Sequence, residues 1–204
     1  VREPGKPRRS PAPEDRQADA ERSRRQLLTA AFDEFAAKGY AGARVHEIAA
    51  RAGVNKQLIN YYFGGKEGLY RALQREWLSR EASFHDPGNP AADIAERYLR
   101  ELLADPRTAR LMLWRGLSHD TGEAEPDEEP EQDLSGITSR QETGELDPSI
   151  DPRCMLIGMM STISGPVMMP DLVRKLFGVD TSDPAFQERY VEFVREFVSR
   201  FGPR

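Results

Sequence analysis

The 204-residue chain is 38% hydrophobic and 31% charged, enough for one sizeable domain or a small module joined to a larger one. No apolar run approaches the roughly 18 residues of a membrane span, and a single cysteine, Cys154, excludes a disulfide framework or a multi-cysteine metal site and reads as a small buried apolar residue in a reducing compartment. The net charge of -5 conceals a split: residues 1–80 carry 16 Lys and Arg against 10 Asp and Glu, and residues 81–204 carry 13 against 24, the asymmetry expected when one end of a chain meets a polyanion.

Residues 1–19 set Pro4, Pro7, Pro11 and Pro13 among charges and small side chains. That is too little apolar area to offset the entropy of ordering, and it predicts a flexible basic arm. The arm has no apolar stretch of the kind an export signal needs, so the expected compartment is the cytoplasm. From Ala20 to Lys38, Leu28, Phe32 and Phe35 recur at helical spacing with Leu27 and Ala31, and Gly39 stands where a left-handed cap would end the helix. Val45, Ile48, Ala49 and Ala52 repeat the spacing over two turns. Gly53 interrupts, and a second short segment runs from Val54 to Phe63. After Gly64 and Gly65 a longer helix starts near Lys66 and carries Leu69, Leu73, Trp77 and Leu78 into a second domain.

Farther along, Asn89-Pro90, Asp105-Pro106 and Asp183-Pro184 each put a capping side chain before a proline at the first helical position. Ile94, Tyr98, Leu99 and Leu102 line one core-facing helix, and Leu111, Met112, Trp114 and Leu117 line the next. Residues 120–133 hold eight acidic residues and no basic one, which predicts a solvated, flexible acidic loop. Leu134 to Gly144 is weakly periodic, and "LDPSIDP" leads into an apolar helix from Pro152 to Ser164. No strand pattern and no internal repeat is present, so the expected class is all-α.

The chemistry concentrates between Ala43 and Lys66. A glycine turn between two short helices, the second polar on one side, is the sequence form of a helix-turn-helix. Val45, Ile48 and Ala49 are small enough for a close crossing, and Gly53 can adopt the turn's backbone angles. Asn55, Lys56, Gln57, Asn60 and Tyr61 fall on the N-terminal and outward sides of the second helix, while Ile59, Tyr62 and Phe63 turn inward. Amides pair with adenine, lysine reaches guanine or phosphate, and tyrosine bonds phosphate or covers a thymine methyl. Asn60 is the base-reading candidate, with an ordinary solvated asparagine as the alternative.

Over residues 24–70, "LLTAAFDEFAAKGYAGARVHEIAARAGVNKQLINYYFGGKEGLY" resembles the DNA-binding region of the tetracycline-repressor (TetR/AcrR) family of bacterial transcription regulators. The landmarks are Ala30-Ala31-Phe32, Gly39-Tyr40, Ile48-Ala49, Ala52-Gly53-Val54, Tyr62-Phe63 and Lys66-Glu67-x-Leu69. The resemblance implies that the Tyr-Phe pair ends the recognition helix and that Lys66, at a helix N-terminus, contacts phosphate. This chain departs from the family in carrying Ala43-Arg44 where threonines are common, so the cap is weaker and Arg44 is the substitute phosphate contact. Leu58 and Asn60 also depart from the usual recognition helix, so no operator sequence is implied. Arg22, Arg24 and Arg25 are expected phosphate contacts beside this unit, and His46, on the exposed side of the first short helix, is a phosphate contact or simply solvated. Lys6, Arg8 and Arg9 on the arm either reach a neighbouring minor groove or only solubilise the chain.

These readings divide the chain into an arm (1–19), a three-helix helix-turn-helix domain (20–66) and a C-terminal helical domain for effector binding and dimerisation (67–204). Phe186, Tyr190, Phe193, Val194, Phe197 and Phe201 form an aromatic stripe at helical spacing. The resemblance pairs the last two long helices with a second copy in a four-helix bundle, so these six residues and Met160 are the expected homodimer interface, with intrachain core as the alternative for part of the stripe. Met155 and Met159, with Phe84, Met112, Trp114 and Arg115, are the expected border of a pocket for an unidentified small-molecule effector. No cofactor or metal is expected: His46, His85 and His119 lack ligand spacing, and no phosphate-binding glycine loop or nucleophile elbow occurs. The implied function is a DNA-binding regulator, most often a repressor, released from a palindromic operator by its effector. Architectural DNA binding without an effector and a hidden enzyme site are the alternatives.

Overall fold

The computed structural model describes residues 13–82, 84, 88–118 and 133–203. Ten helices and no strand occur among the described residues. Residues 1–12 of the expected arm, residues 120–132 of the expected acidic loop, His85, His119 and the Arg115 side chain lie outside the described residues.

α1 (Pro13–Gly42) begins inside the stretch expected to be an arm through residue 19. Pro13 brings a backbone angle already suited to a first helical position, and the residues that follow favour helix. The helix also passes Gly39, where φ is 68° and ψ is 176°. Gly39 is therefore a positive-φ kink that breaks the helix before one last turn, with a ψ far from that of the expected left-handed cap.

α1, α2 (Val45–Ala52), α3 (Gln57–Phe63) and the first half of α4 (Lys66–Ala82) enclose the first core. Leu27, Ala31, Phe35, Ile48, Ile59 and Leu69 are almost completely buried there. Each large aliphatic side chain contributes roughly 1.5–3 kcal/mol by leaving water. The rings of Phe35 and Tyr40 both stand edge-on to Tyr70, at 5.1 Å between centroids.

α4 continues into a second core, where Trp77 packs beside Phe84. That core is formed by α5 (Ala91–Ala104), α8 (Pro152–Met168) and α10 (Pro184–Ser199), which bury Leu99, Leu102, Ile163, Val194 and Val198. Arg195 bridges Asp93 and Glu96, and Arg100 takes Glu188 in a two-pronged bond at 2.8 and 3.1 Å, stitching α10 to α5. The Tyr190 hydroxyl donates to the Thr162 carbonyl, tying α10 to α8.

The cap expectations divide. Asp183 accepts from the Phe186 amide, Asp151 from Arg153 and Asp105 from Arg107. Asn89 does not cap α5. The helix starts at Ala91, whose amide donates to Glu145 from 54 residues away, a partner that no local pattern reveals. α7 (Ser135–Glu142) forms in the weakly periodic stretch, and α9 (Pro170–Phe177) follows α8 after a 75° bend at Met169-Pro170. No single described helix is long and apolar enough to cross a membrane.

Two burial expectations are overturned. Cys154 is exposed, because it falls on the outward side of the first turn of α8 beside exposed Arg153. The end of α6 (Arg107–Ser118) is not core-facing: Met112, Leu113, Trp114 and Leu117 are all exposed to a third or more of their surface. Only the start of α6, with Thr108 and Ala109, is buried, since α6 runs out along α1 and away from the second core.

Candidate nucleic-acid interface

The reading unit is set by backbone geometry. Gly53 closes α2 in the left-handed conformation (φ 68°, ψ 26°), with its amide bonded to Ala50 and that of Val54 to Ala49. This bend turns α3 across α2. Ile48, Ala49 and Ala52 of α2 and Ile59 of α3 face the first core, and Leu58, Tyr62 and Phe63 pack partly against it. The departure at Leu58 thus has a packing role. Asn55, Lys56, Gln57, Asn60 and Tyr61 are exposed, Tyr61 to 79%.

Two of these side chains already have local tasks. The Asn55 Oδ1 accepts from the Gln57 amide at 2.9 Å and caps α3. The Asn60 Oδ1 lies 3.6 Å from the position a Cβ on Gly65 would take, so its amide stands beside the α3–α4 turn. Gln57 and Tyr61, one helical turn apart, are left on the outer surface.

The arginines of α1 take three directions. Arg22 pairs with Asp19 at 3.6 Å, Arg24 lies over the Phe63 ring at 5.5 Å, and Arg25 lines a cleft described below. Arg24 therefore joins the end of the recognition helix, whereas Arg25 shares its α1 face with Leu28, Thr29 and Phe32. Arg44 occupies the cap position of α2 and makes no side-chain cap bond, as the missing threonine predicts. Arg44 and His46 are exposed. Lys66 sits at the start of α4 with its ammonium 4.5 Å from the Tyr40 ring centroid and bonded to the Ala41 carbonyl at 3.4 Å.

Sequence reasoning missed the position left open in Lys66-Glu67-x-Leu69. Gly68 lets α4 approach the end of α3 so closely that an added Cβ would stand 1.7 Å from the Phe63 carbonyl oxygen. It also missed a chain of ion pairs crossing α1. Arg51 of α2 meets Asp33 and the buried Glu34 at 3.7 and 3.6 Å, and Lys38 reaches Glu34 at 2.8 Å and also pairs with Glu47. Asp33 bonds Arg107 of α6 at 2.7 Å, and Arg107 lies over Phe32 and holds Asp105 at 2.6 Å. Hydrogen bonding from Arg107 keeps the Asp105 carboxyl below its ordinary pKa, and Lys38 does the same for Glu47. Only the Glu34–Lys38 spacing, one helical turn, was visible in the sequence. α6 is fastened to α1 again by Trp114, whose indole donates to the Ala36 carbonyl at 3.2 Å while its ring covers Gly39 at a distance that leaves no ordinary room for a Cβ.

The expected effector border does not assemble. Phe84 and Met159 belong to the second core, Met155 is 1% exposed within α8, and Trp114 is committed to α1. Met112 alone among the described members lines a substantial cavity, and that cavity lies between α1, α4 and α6 with a volume of about 430 Å³. The expected dimer surface also divides. Phe186 and Val194 are buried in the chain's own structure, Tyr190 and Phe197 pack partly against the second core, and Met160 and Phe201 are half-buried. Phe193 is exposed to 48%, on the side of α10 turned away from α5.

The chain matches a family model described as bacterial regulatory proteins, tetR family, over residues 27–73, and one described as tetracyclin repressor-like, C-terminal domain, over residues 91–200. It is 29% identical over 188 residues to the HTH-type transcriptional repressor SCO4008 of Streptomyces coelicolor, covering 89% of this chain and 98% of that protein. It is also 29% identical over 191 residues to the HTH-type transcriptional regulator RutR of Escherichia coli strain K12, covering 86% and 88%. The crystal structure of the putative transcriptional regulator SCO4942 from Streptomyces coelicolor superposes with a TM-score of 0.68 at 26% identity, over 86% of this chain and 97% of that one. A helix pair bent at Gly53, an exposed polar face on α3 and family matches in both halves lead to one assignment: the chain belongs to the tetR family of bacterial regulatory proteins and is a DNA-binding regulator of transcription.

Proposed function

We propose that the protein is a homodimeric repressor that reads a palindromic operator with one α3 helix per half-site and leaves it when a small-molecule effector alters the spacing of its two heads. The observation that carries this reading is the pair α2–α3, rigidly bent at Gly53, with Gln57, Asn60 and Tyr61 exposed on one continuous surface. Gln57 and Tyr61 reach base edges, and Asn60 reads an edge or a phosphate near the α3–α4 turn. Arg44, His46, Asn55, Lys56 and Lys66 hold the flanking phosphates, with Arg22 and Arg24 beyond them. Repression, rather than activation, is supported by the Streptomyces relative SCO4008, a transcriptional repressor.

Residues 20–66 act as the DNA-reading unit and residues 67–204 as the effector and dimer unit. Exposed Phe193, in ring contact with Phe197, is the proposed centre of the contact between copies, with Phe201 and Met160 as further members. The role is binding rather than catalysis, exercised in the cytoplasm where operator DNA lies. Selection of bound duplexes from a random pool at near-physiological salt tests the reading: a palindromic motif is expected, with a preference of at least about a thousandfold over random duplex. Enrichment of no motif would replace it by architectural binding without sequence preference.

A further inference from the structure

The cavity between α1, α4 and α6 has two chemically distinct parts. Its wall is apolar, built from Leu28 and Phe32 of α1, Leu73 and Trp77 of α4, and Leu111 and Met112 of α6. Its rim is cationic, with five arginines, Arg25, Arg71, Arg75, Arg80 and Arg107, against two carboxylates, Glu76 and Asp105. Arg107 is already satisfied by Asp105 and Asp33. Arg25 and Arg75 make no ion pair among the described residues, and the buried Nε of Arg71 has no hydrogen-bond acceptor although its Nη2 pairs with Glu67. A volume of about 430 Å³ falls in the range of small-ligand sites.

We propose that this cleft binds an amphipathic organic anion, a small molecule with one acidic head and an apolar body. The body lies along Phe32, Leu73 and Trp77, where it leaves water, and the head meets the guanidinium groups of Arg75 and Arg25, which form planar two-pronged bonds to a carboxylate. The site differs from the pocket expected from sequence, because it lies where the reading unit meets the helices behind it. An occupant touches α1, α4 and α6 together and so favours one setting of α1 against α6. Arg25 serves here as a ligand anchor and not as a phosphate contact. The regulatory consequence, a change in operator affinity on occupancy, rests on the repressor reading above; the binding itself does not.

Calorimetric titration of the DNA-free full chain with decanoate tests the site, with decan-1-ol and decyltrimethylammonium as head-group controls. Decanoate should bind saturably and about tenfold tighter than the alcohol, with the cation weaker still. Arg75→Ala should weaken decanoate about tenfold, and Arg75→Lys should restore part of the loss. Thr29→Trp, a filling change at an exposed position on the α1 side of the cleft, should remove binding while the thermal unfolding midpoint stays within a few degrees. Equal binding of alcohol and acid, binding that survives both variants, or no saturation up to about 1 mM overturns the proposal. Duplex selection separates the two readings: a clear motif without decanoate binding removes the cleft alone, and decanoate binding without a motif removes the repressor reading alone.

Discussion

The two cores of this molecule are built on different tolerances. The reading unit is short, and one left-handed backbone angle with a few close approaches fixes it: Gly53 turns α3 through its positive φ, Gly68 lets α4 touch the end of α3, and Ala49 and Ala52 keep α2 near α1. The second core is held by aliphatic layers from α5, α8 and α10 and by ion pairs on their outer edges. An added methyl therefore matters far more at Gly68 than at an open position of α8 such as Gly158. This is the arrangement required of a site whose side chains must arrive at DNA in register.

A matched pair of glycine substitutions breaks or sharpens that contrast most strongly. Gly68→Ala forces a Cβ into the Phe63 carbonyl and should cost about 3 kcal/mol or more, read by denaturant unfolding, with operator binding lost as well. Gly158→Ala in α8 meets nothing within 4 Å and should stabilise by up to about 1 kcal/mol. A destabilisation at Gly158 equal to that at Gly68 would remove the distinction between the regions.

The DNA-facing side chains come next in expected size. Lys66→Ala should weaken binding to all duplexes and lower the salt slope by about one. Asn60→Ala should cost about 1–3 kcal/mol at one operator position if the amide reads a base, and should instead weaken all sequences alike if its place beside Gly65 directs it to phosphate. An unchanged binding profile in both measurements would remove Asn60 from the interface.

The smallest expected effect is at the turn that starts α6, where Asp105 holds Arg107. Arg107 lowers the folded-state pKa of Asp105, so this pair contributes stability that is fully present above the unfolded carboxyl value, about 3.9, and is lost as pH falls through the folded one. Asp105→Asn should therefore flatten the acid limb of stability below about pH 4, by about 1 kcal/mol or less because the pair is partly open to solvent. An acid limb identical in the variant would show that the Asp105–Arg107 pair carries no measurable share of stability.

Helix spacing, the glycine turn and the polar face of α3 were legible in the sequence because each depends on residues within a turn or two of one another. That local code determined the all-α class, the helix-turn-helix and the family resemblance. Tertiary structure alone decided matters that depend on residues far apart in the chain. Glu145 caps α5 in place of Asn89, Trp114 leaves the expected pocket to cover Gly39, and Phe186 and Val194 are spent on the chain's own packing while Phe193 stays outside. The cleft with its arginine rim belongs to the same group, since it exists only where α1, α4 and α6 converge. A periodic pattern reports that a face is apolar, but which surface covers that face is settled by the angles at which helices cross, and those angles follow from packing over the whole molecule.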